Sequence, residues 1–327
     1  MDGTGIIDLT VSDAPRISVI IPTRDRPGDV ARCVESVLAC DHDAFEVIVV
    51  DQSERPARVP ADSRVVQIPT ETRGKAAALN IGIAAARADL LAFTDDDCTV
   101  PSHWPQRLEE LFAHYPNVAM AFGDMVAIEH DPGQVYVPEW RMSEFEIVDG
   151  VRHGQSRGGA GANMSARRAM FEAIGLWDEQ IGPGTRFRGS EEGDIIFRAL
   201  TGGHSIARVP DLVVTHWGVR SYADGSGQRL MRGYAYGKGA VIGKHLRLLD
   251  RHMVPVAARE MAEDLWLVAS GLAHGRRSGI GQVAYKWRGL ADALASPVDR
   301  RSRMFANAKP AARGRTGRAR QKHMQGA

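Results

Sequence analysis

Cysteine is scarce in this 327-residue sequence: only Cys33, Cys40 and Cys98 occur, with no CxxC or comparable spacing. So small and odd a set excludes a disulfide framework and a structural zinc site, and it fits buried thiols in a reducing compartment. Long apolar runs are also missing. No stretch reaches the roughly eighteen residues that a membrane-spanning helix needs. The opening MDGTGIIDLTVSDAP has aspartates and no basic run before an apolar core, unlike a secretory signal. A cytoplasmic protein is expected, at most peripheral at the inner face of the membrane. No GxGxxG follows the first strand-like segment and no GxxxxGK[ST] occurs anywhere, which disfavours a dinucleotide dehydrogenase and a P-loop phosphotransferase.

Charge of one sign is not in excess either, since 41 basic side chains face 40 acidic ones. No nucleic-acid partner is expected of such a balance. The balance hides an asymmetry. Nine of the Lys and Arg lie between Arg300 and Ala327 without one acid, which leaves 32 basic against 40 acidic residues elsewhere, net −8. That segment, rich in Gly, Ala and Arg, is expected to be a disordered basic tail with weak attraction to anionic membranes.

What is present is an alternation of strand and helix. RISVIIP is a short β-branched run, and Pro27 then opens a helix with Val30, Cys33, Val34, Val37 and Leu38 on one face. FEVIVVD and RVVQIP read as two more strands, and Lys75 to Arg87 as an Ala-rich helix packing through Ala78, Leu79, Gly82 and Ile83. DLLAFTDDD is a strand ending in acid. A helix from Pro101 follows, with Trp104, Leu108, Leu111 and Phe112 inward, and then the strand NVAMAFG. Such order predicts an α/β fold with an open, mostly parallel sheet. Past Asp124 the pattern loosens through Gly-rich stretches, with a helix near Glu192–Thr201 and the strand-like SIARVPDLVVTHW. Four regions are expected: a leader over 1–15, an α/β domain over 16–220, a helical appendage over 221–299 and the tail over 300–327.

Ligands of open α/β sheets bind beyond the carboxyl ends of the strands. Thr23, Arg24 and Asp25, then Asp51, then Asp95, Asp96 and Asp97 occupy those ends here. Three crowded carboxylates repel one another and are costly to bury unpaired. A hard divalent cation, Mg²⁺ or Mn²⁺, relieves that cost by taking one or two carboxylates together with phosphate oxygens.

From Ile17 to His216 the sequence resembles family 2 glycosyltransferases, inverting enzymes of GT-A fold. The likeness rests on SVIIPTRDRP, VIVVDQSE, RGKAAALNIGIAAARADLLAFTDDDC, GAGANMSARRAMFEAIGLWDE, GSEEGDIIFRAL and PDLVVTHW, in the family's order. The resemblance implies a nucleoside-diphosphate-sugar donor and an acceptor hydroxyl that remains unnamed. It places Thr23 and Asp25 in the nucleotide pocket, Asp51 on the base, and Arg73 and Lys75 on base and diphosphate. Asp95 would face ribose or sugar, Asp97 would bind metal with Asp96 between them, and Gly161, Ala162 and Asn163 would line the sugar pocket. Glu192 stands at the general-base position beside Glu191, and His216 at a late metal or phosphate contact. The base position carries Glu where the family more usually has Asp, so the role is open between Glu192 and Glu191. Asn163 has a second reading, as the cap of a helix starting near Ser165. QRLMRG lacks the QxxRW pattern of processive synthases, which points to addition of one sugar. The competing functions are a sugar-phosphate nucleotidyltransferase, which would need a Gly- and Arg-rich loop where this chain has TRDRP, and a catalytically silent sugar-nucleotide binder.

Overall fold

β1 (Ile17–Thr23) and β2 (Phe45–Asp51) are buried from end to end, as uninterrupted β-branched runs must be when helices cover both sheet faces. Their side chains alternate between two layers. Val19, Ile21, Val47 and Val49 pack with Val34 and Trp104 on one side. Ile20, Ile48 and Val50 pack with Leu79, Phe122 and Ile195 on the other. The computed structural model describes residues 14–151, 158–274 and 279–306. Most of the expected leader, part of the Gly-rich stretch after Val151 and the tail beyond residue 306 lie outside the described residues.

Between and after these strands come α1 (Pro27–Leu38), β3 (Val65–Pro69), α2 (Lys75–Ala85), β4 (Leu90–Phe93), β5 (Cys98–Thr99) and α3 (Trp104–His114). β6 (Val118–Ala127), β7 (Val135–Tyr136), β8 (Glu146–Asp149), β9 (Met164–Arg167), α4 (Arg168–Ile174), α5 (Glu191–Thr201), β10 (Ser205–His216) and β11 (Arg220–Ser221) follow. The main sheet runs β3-β2-β1-β4-β9-β6-β10-β5, with β8 against β10. β3, β2, β1 and β4 are parallel, as are β6 and β10, while β9 runs antiparallel between β4 and β6. The expected α/β fold with a mostly parallel sheet is what forms. The helix proposed from Ser165 does not: Met164–Arg167 is strand, and the helix starts at Arg168. Ser165 and Ala166 are held in register with Ala92 and Leu91, so sheet pairing overrides the local capping signal there.

The helical region has three helices, α6 (Ser226–Arg247), α7 (Met253–Ala273) and α8 (Ile280–Leu294). Among the described residues no helix is long and apolar enough to cross a membrane. α6 and α8 touch backbone to backbone, because a Cβ at Gly239 would lie 1.8 Å from the Lys286 carbonyl and one at Gly289 2.0 Å from that of Tyr236. Only Met253 and Asp264 of α7 are buried. Residues 300–306, counted with the basic tail in the sequence, belong to the described fold. β12 (Val298–Asp299) pairs with β13 (Met304–Phe305), and the Phe305 ring stacks on Phe187 at 4.3 Å between centroids. The Phe305 N–H donates to Asp178 Oδ2 at 2.8 Å, and Gln180 donates to the carbonyls of Phe305 and Ala306. One aromatic anchor thus draws residues 300–306 into the fold. Phe305→Ala removes that anchor and is expected to cost about 3–5 kcal/mol, read as a lower urea midpoint. An unchanged midpoint would show that the hairpin is not held by its ring.

Candidate functional site

The parallel strands deliver their polar ends to one edge of the sheet. β4 stops at Phe93, and Asp95, Asp96 and Asp97 follow in the turn that leads to β5. Thr23, closing β1, donates its hydroxyl to Asp96 Oδ2 at 2.7 Å. Arg26, just before α1, bridges Asp96 Oδ1 and Asp97 Oδ2 at 3.0 Å each. From the far side of the sheet β10 brings His216, whose Nε2 lies 3.3 Å from Asp97 Oδ1. Arg220 approaches Asp97 Oδ2 at 3.4 Å. Burial alone would raise the Asp97 carboxyl, but His216, Arg26 and Arg220 outweigh it and hold the group well below the usual carboxylate range. Burial dominates at Asp96, which is pushed up to about 6 although Arg26 opposes the shift.

Lys75, at the start of α2, points its ammonium between two halves of the site. It lies 2.5 Å from Asp95 Oδ1 and 3.5 Å from Glu191 Oε1. Burial would neutralise it, but Asp95, Glu191 and Glu192 keep it charged. Both glutamates open α5, entered through Ser190 in the left-handed region at φ 66°. A non-glycine residue there is uncommon and turns the chain sharply before Glu191. Glu191 is buried on Lys75, whereas Glu192 is half-buried at a cavity wall. Desolvation first, and then the neighbouring Glu191 charge, push Glu192 up to about 8.

Two adjoining cavities occupy this edge. One, of about 360 Å³, is lined by Thr23, Arg24, Arg26, Gln52, Lys75, all three aspartates, His216 and Arg220. The other, of about 350 Å³, shares Lys75, Asp95, His216 and Tyr234 and adds Gly161, Ala162, Glu191 and Glu192. A Cβ at Gly161 would sit 3.7 Å from Lys75 Nζ and 3.9 Å from Glu192 Cβ, so that stretch faces both groups. Thr23, Lys75, Asp95, Asp96, Asp97, Gly161, Ala162, Glu191, Glu192 and His216 each line one or both of these cavities.

Four residues do not. Asn163 is buried in the core, accepting from Trp104 Nε1 and donating to the carbonyls of Asp124 and Leu212, which leaves nothing for a sugar and makes it a clasp between β6 and β10. Asp51 accepts from the N–H groups of Ser53 and Ala57 and from Gln67, so its carboxylate shapes the turn after β2. Asp25 is exposed and bonds the Ser53–Glu54 turn, and Arg73 is exposed. Neither lines the two cavities. In their place stand Arg26, Gln52, Arg220 and Tyr234, which sequence reasoning missed. TRDRP held the signal for Arg26, but nothing local marked Arg220 or Tyr234, which arrive after the sheet is complete.

A divalent cation fits the chemistry of this edge. Asp97, Cys98 and His216 each present a ligand atom, all within 4.8 Å of one another. Gly218 keeps that space clear: a Cβ there would lie 2.3 Å from Asp97 Oδ2 and 2.6 Å from His216 Cε1. Asp97 and His216 suit a hard or borderline divalent ion, and the buried Cys98 thiol, raised well above its ordinary value by desolvation, is the poorer ligand.

Residues 18–175 match the family described as glycosyl transferase family 2. Among curated relatives, the pre-mycofactocin glycosyltransferase of Mycobacterium tuberculosis is 26% identical over 213 residues, which is 61% of this chain and 42% of that protein. The chain thus spans less than half the length of that relative. Glycosyltransferase AglE of Haloferax volcanii is 23% identical over 80% of this chain and 83% of its own length. Among solved structures, Staphylococcus aureus TarS superimposes with a TM-score of 0.50 at 14% identity, over 71% of this chain and 43% of TarS, a likeness of fold.

Gly218→Ala is expected to weaken Mn²⁺ binding at least about tenfold, the scale of second-shell losses at metal sites, with little change in melting temperature. Isothermal titration reads the affinity. Equal affinity in mutant and parent would remove the Asp97–His216 pair from the ion's coordination.

Proposed function

We propose that this chain, which carries a glycosyltransferase family 2 domain over residues 18–175, moves one sugar from a nucleoside-diphosphate sugar to an acceptor hydroxyl with inversion. The observation that carries the proposal is that Glu192 shares a cavity with Asp95, the first of the three aspartates, and with Lys75, which is paired to Asp95. Thr23, Arg24, Gln52 and Gly74 line the cavity that would take the nucleotide. Arg26, Arg220 and Lys75 would meet the diphosphate. Six carboxyl groups and four Lys and Arg side chains already share these walls, so a bound diphosphate leaves excess negative charge. A divalent cation held by Asp97 and His216 would offset that charge and act as a Lewis acid on the leaving phosphate.

In the transfer itself the acceptor oxygen attacks the anomeric carbon while the bond from that carbon to the phosphate oxygen breaks. The nucleoside diphosphate leaves with the bonding pair, and the hydroxyl proton passes to a Glu192 carboxylate oxygen. Glu191, held on Lys75, keeps the ammonium pointed at the donor side. Tyr234 and the Gly161–Ala162 backbone close the sugar pocket. The nucleotidyltransferase alternative gains nothing from the loop after β1, which is built from Arg24 and Arg26 without glycine.

The test is a pair of isosteric changes. Glu192→Gln should lower turnover at least about a hundredfold, within the range of general-base contributions, with donor affinity nearly unchanged. Glu191→Gln should instead weaken donor binding or stability, because it frees Lys75 from a partner. The reverse order moves the base to Glu191, and near-normal turnover in both overturns the mechanism. The pH dependence follows from the raised Glu192 carboxyl. A base must be ionised, and a group titrating near 8 is about one-tenth ionised at pH 7. kcat/KM should therefore climb as pH rises from 6 toward 8.5 and level off above, whereas an unperturbed carboxylate would give a flat profile over that window.

A further inference from the structure

A third cavity, of about 320 Å³, lies behind Glu192 between α5, α6 and α7. Glu192 lines it and also lines the sugar-side cavity, so one carboxylate borders both spaces. Trp140 is likewise common to the two. The walls differ sharply from those around the aspartates, for here they are Ile196, Phe197, Val241, Ile242, Met253 and Val256. The two other charged residues, Lys238 and Glu260, pair with each other at 2.7 Å, and Glu260 also meets Lys286 at 3.0 Å. Their charges are spent locally, so among the described residues Glu192 is the ionisable lining group without an opposite partner of its own in this cavity.

Gly193 supplies an independent observation. It lies in the first turn of α5, and glycine in a helix interior costs about 1 kcal/mol relative to alanine. Its Cβ would meet only Ser190, at 3.8 Å, so neither backbone conformation nor crowding requires glycine. The missing side chain instead leaves room in this cavity beside Glu192.

We propose that this cavity is the acceptor site, and that the acceptor is an alcohol or phenol with an apolar body, its hydroxyl directed at Glu192. The assignment rests on the glycosyl-transfer reading above, since it takes Glu192 as the base. A volume near 320 Å³ lies at the lower end of small-molecule pockets and suits an aromatic or branched alkyl body. A polyol would leave its remaining hydroxyls against unpaired apolar walls, an unfavourable exchange for water. The donor side, lined by carboxylates and guanidinium groups, would reject an apolar body for the converse reason.

The experiment uses the full chain with 4-butylphenol as the apolar probe and glycerol as the polar one. UDP, GDP and dTDP, each with Mn²⁺, report the donor side. Saturable binding of 4-butylphenol is expected by calorimetry, with quenching of tryptophan emission through Trp140, and none of glycerol. Butylphenol and the bound nucleotide should occupy the protein together. Gly193→Leu, a favourable helix substitution that fills the space, should weaken butylphenol binding at least tenfold. Val256→Trp should do the same from the opposite wall, and urea midpoints establish that each variant is folded. Butylphenol affinity unchanged in both folded variants, competition between butylphenol and the nucleotide, or equal binding of glycerol would each overturn the assignment. Absence of stabilisation by all three nucleotides would instead defeat the glycosyl-transfer reading, leaving the apolar site to be judged by its variants alone.

Discussion

The ammonium of Lys75 is the point on which the site depends. It is held between Asp95, at the end of the N-terminal strands, and Glu191, at the start of α5. Without a cation there, Asp95, Glu191 and Glu192 would converge as unpaired acids in a poorly solvated cleft, at a cost of several kcal/mol. With it, Asp95 and Glu191 are both engaged and Glu192 is left without an ion-pair partner among the described residues. Desolvation and the adjacent Glu191 raise it while Lys75 opposes. A buried lysine at the first turn of α2 therefore engages one of two adjacent glutamates and leaves the other at the cavity wall.

Holding Glu192 in place is the work of a second network on the same helix. Asp194 accepts from Lys244 at 2.7 Å, from His245 at 2.9 Å and from Arg198 at 2.9 Å, all buried. Against the effect of burial, Lys244, Arg198 and His245 keep the Asp194 carboxyl well below its ordinary range. Lys244 also reaches Asp178 at 2.8 Å, and Asp178 receives the Phe305 N–H. α5, α6 and the β12–β13 hairpin are thereby joined through a chain of buried charges. Removing one member leaves its partners charged and unpaired, which is costlier than the net worth of the pairs. The helical region is a structural part of the glutamate-bearing helix's surroundings, not an attachment to a finished domain.

The cleft is divided by polarity along its length. At the aspartate end, charges of both signs crowd together and call for a polyanionic ligand with a cation. Around Glu192 the walls change to glycine and tyrosine, and behind it to aliphatic and aromatic side chains. A ligand that bridges the whole length must be ionic at one end and apolar at the other, and two ligands meeting at Glu192 satisfy the same gradient.

Much of this was legible in the sequence because it is carried by near neighbours. β-branched runs marked β1 and β2 and an apolar run marked β4, and the aspartates at the end of β4 marked the edge where ligands collect. The candidates Glu191, Glu192 and His216 came from the family resemblance and not from any local pattern. Tertiary structure decided the rest, for reasons that local pattern does not hold. Asn163 sits beside two cavity residues, yet its amide turns inward because Trp104 Nε1 and two carbonyls from distant strands need partners. Ser165 lies in a strand because β4 and β6 flank it, overriding its cap-like neighbourhood. Arg220, Tyr234 and Gly218 join the site only when β10 and α6 fold back over the aspartates, across more than a hundred residues. Residues 300–306 are ordered because one ring finds Phe187. The sequence by itself determined that three aspartates gather at the sheet edge. Which of them are spent on one another, and which stay free for a ligand, was set by distances that exist only in the folded chain.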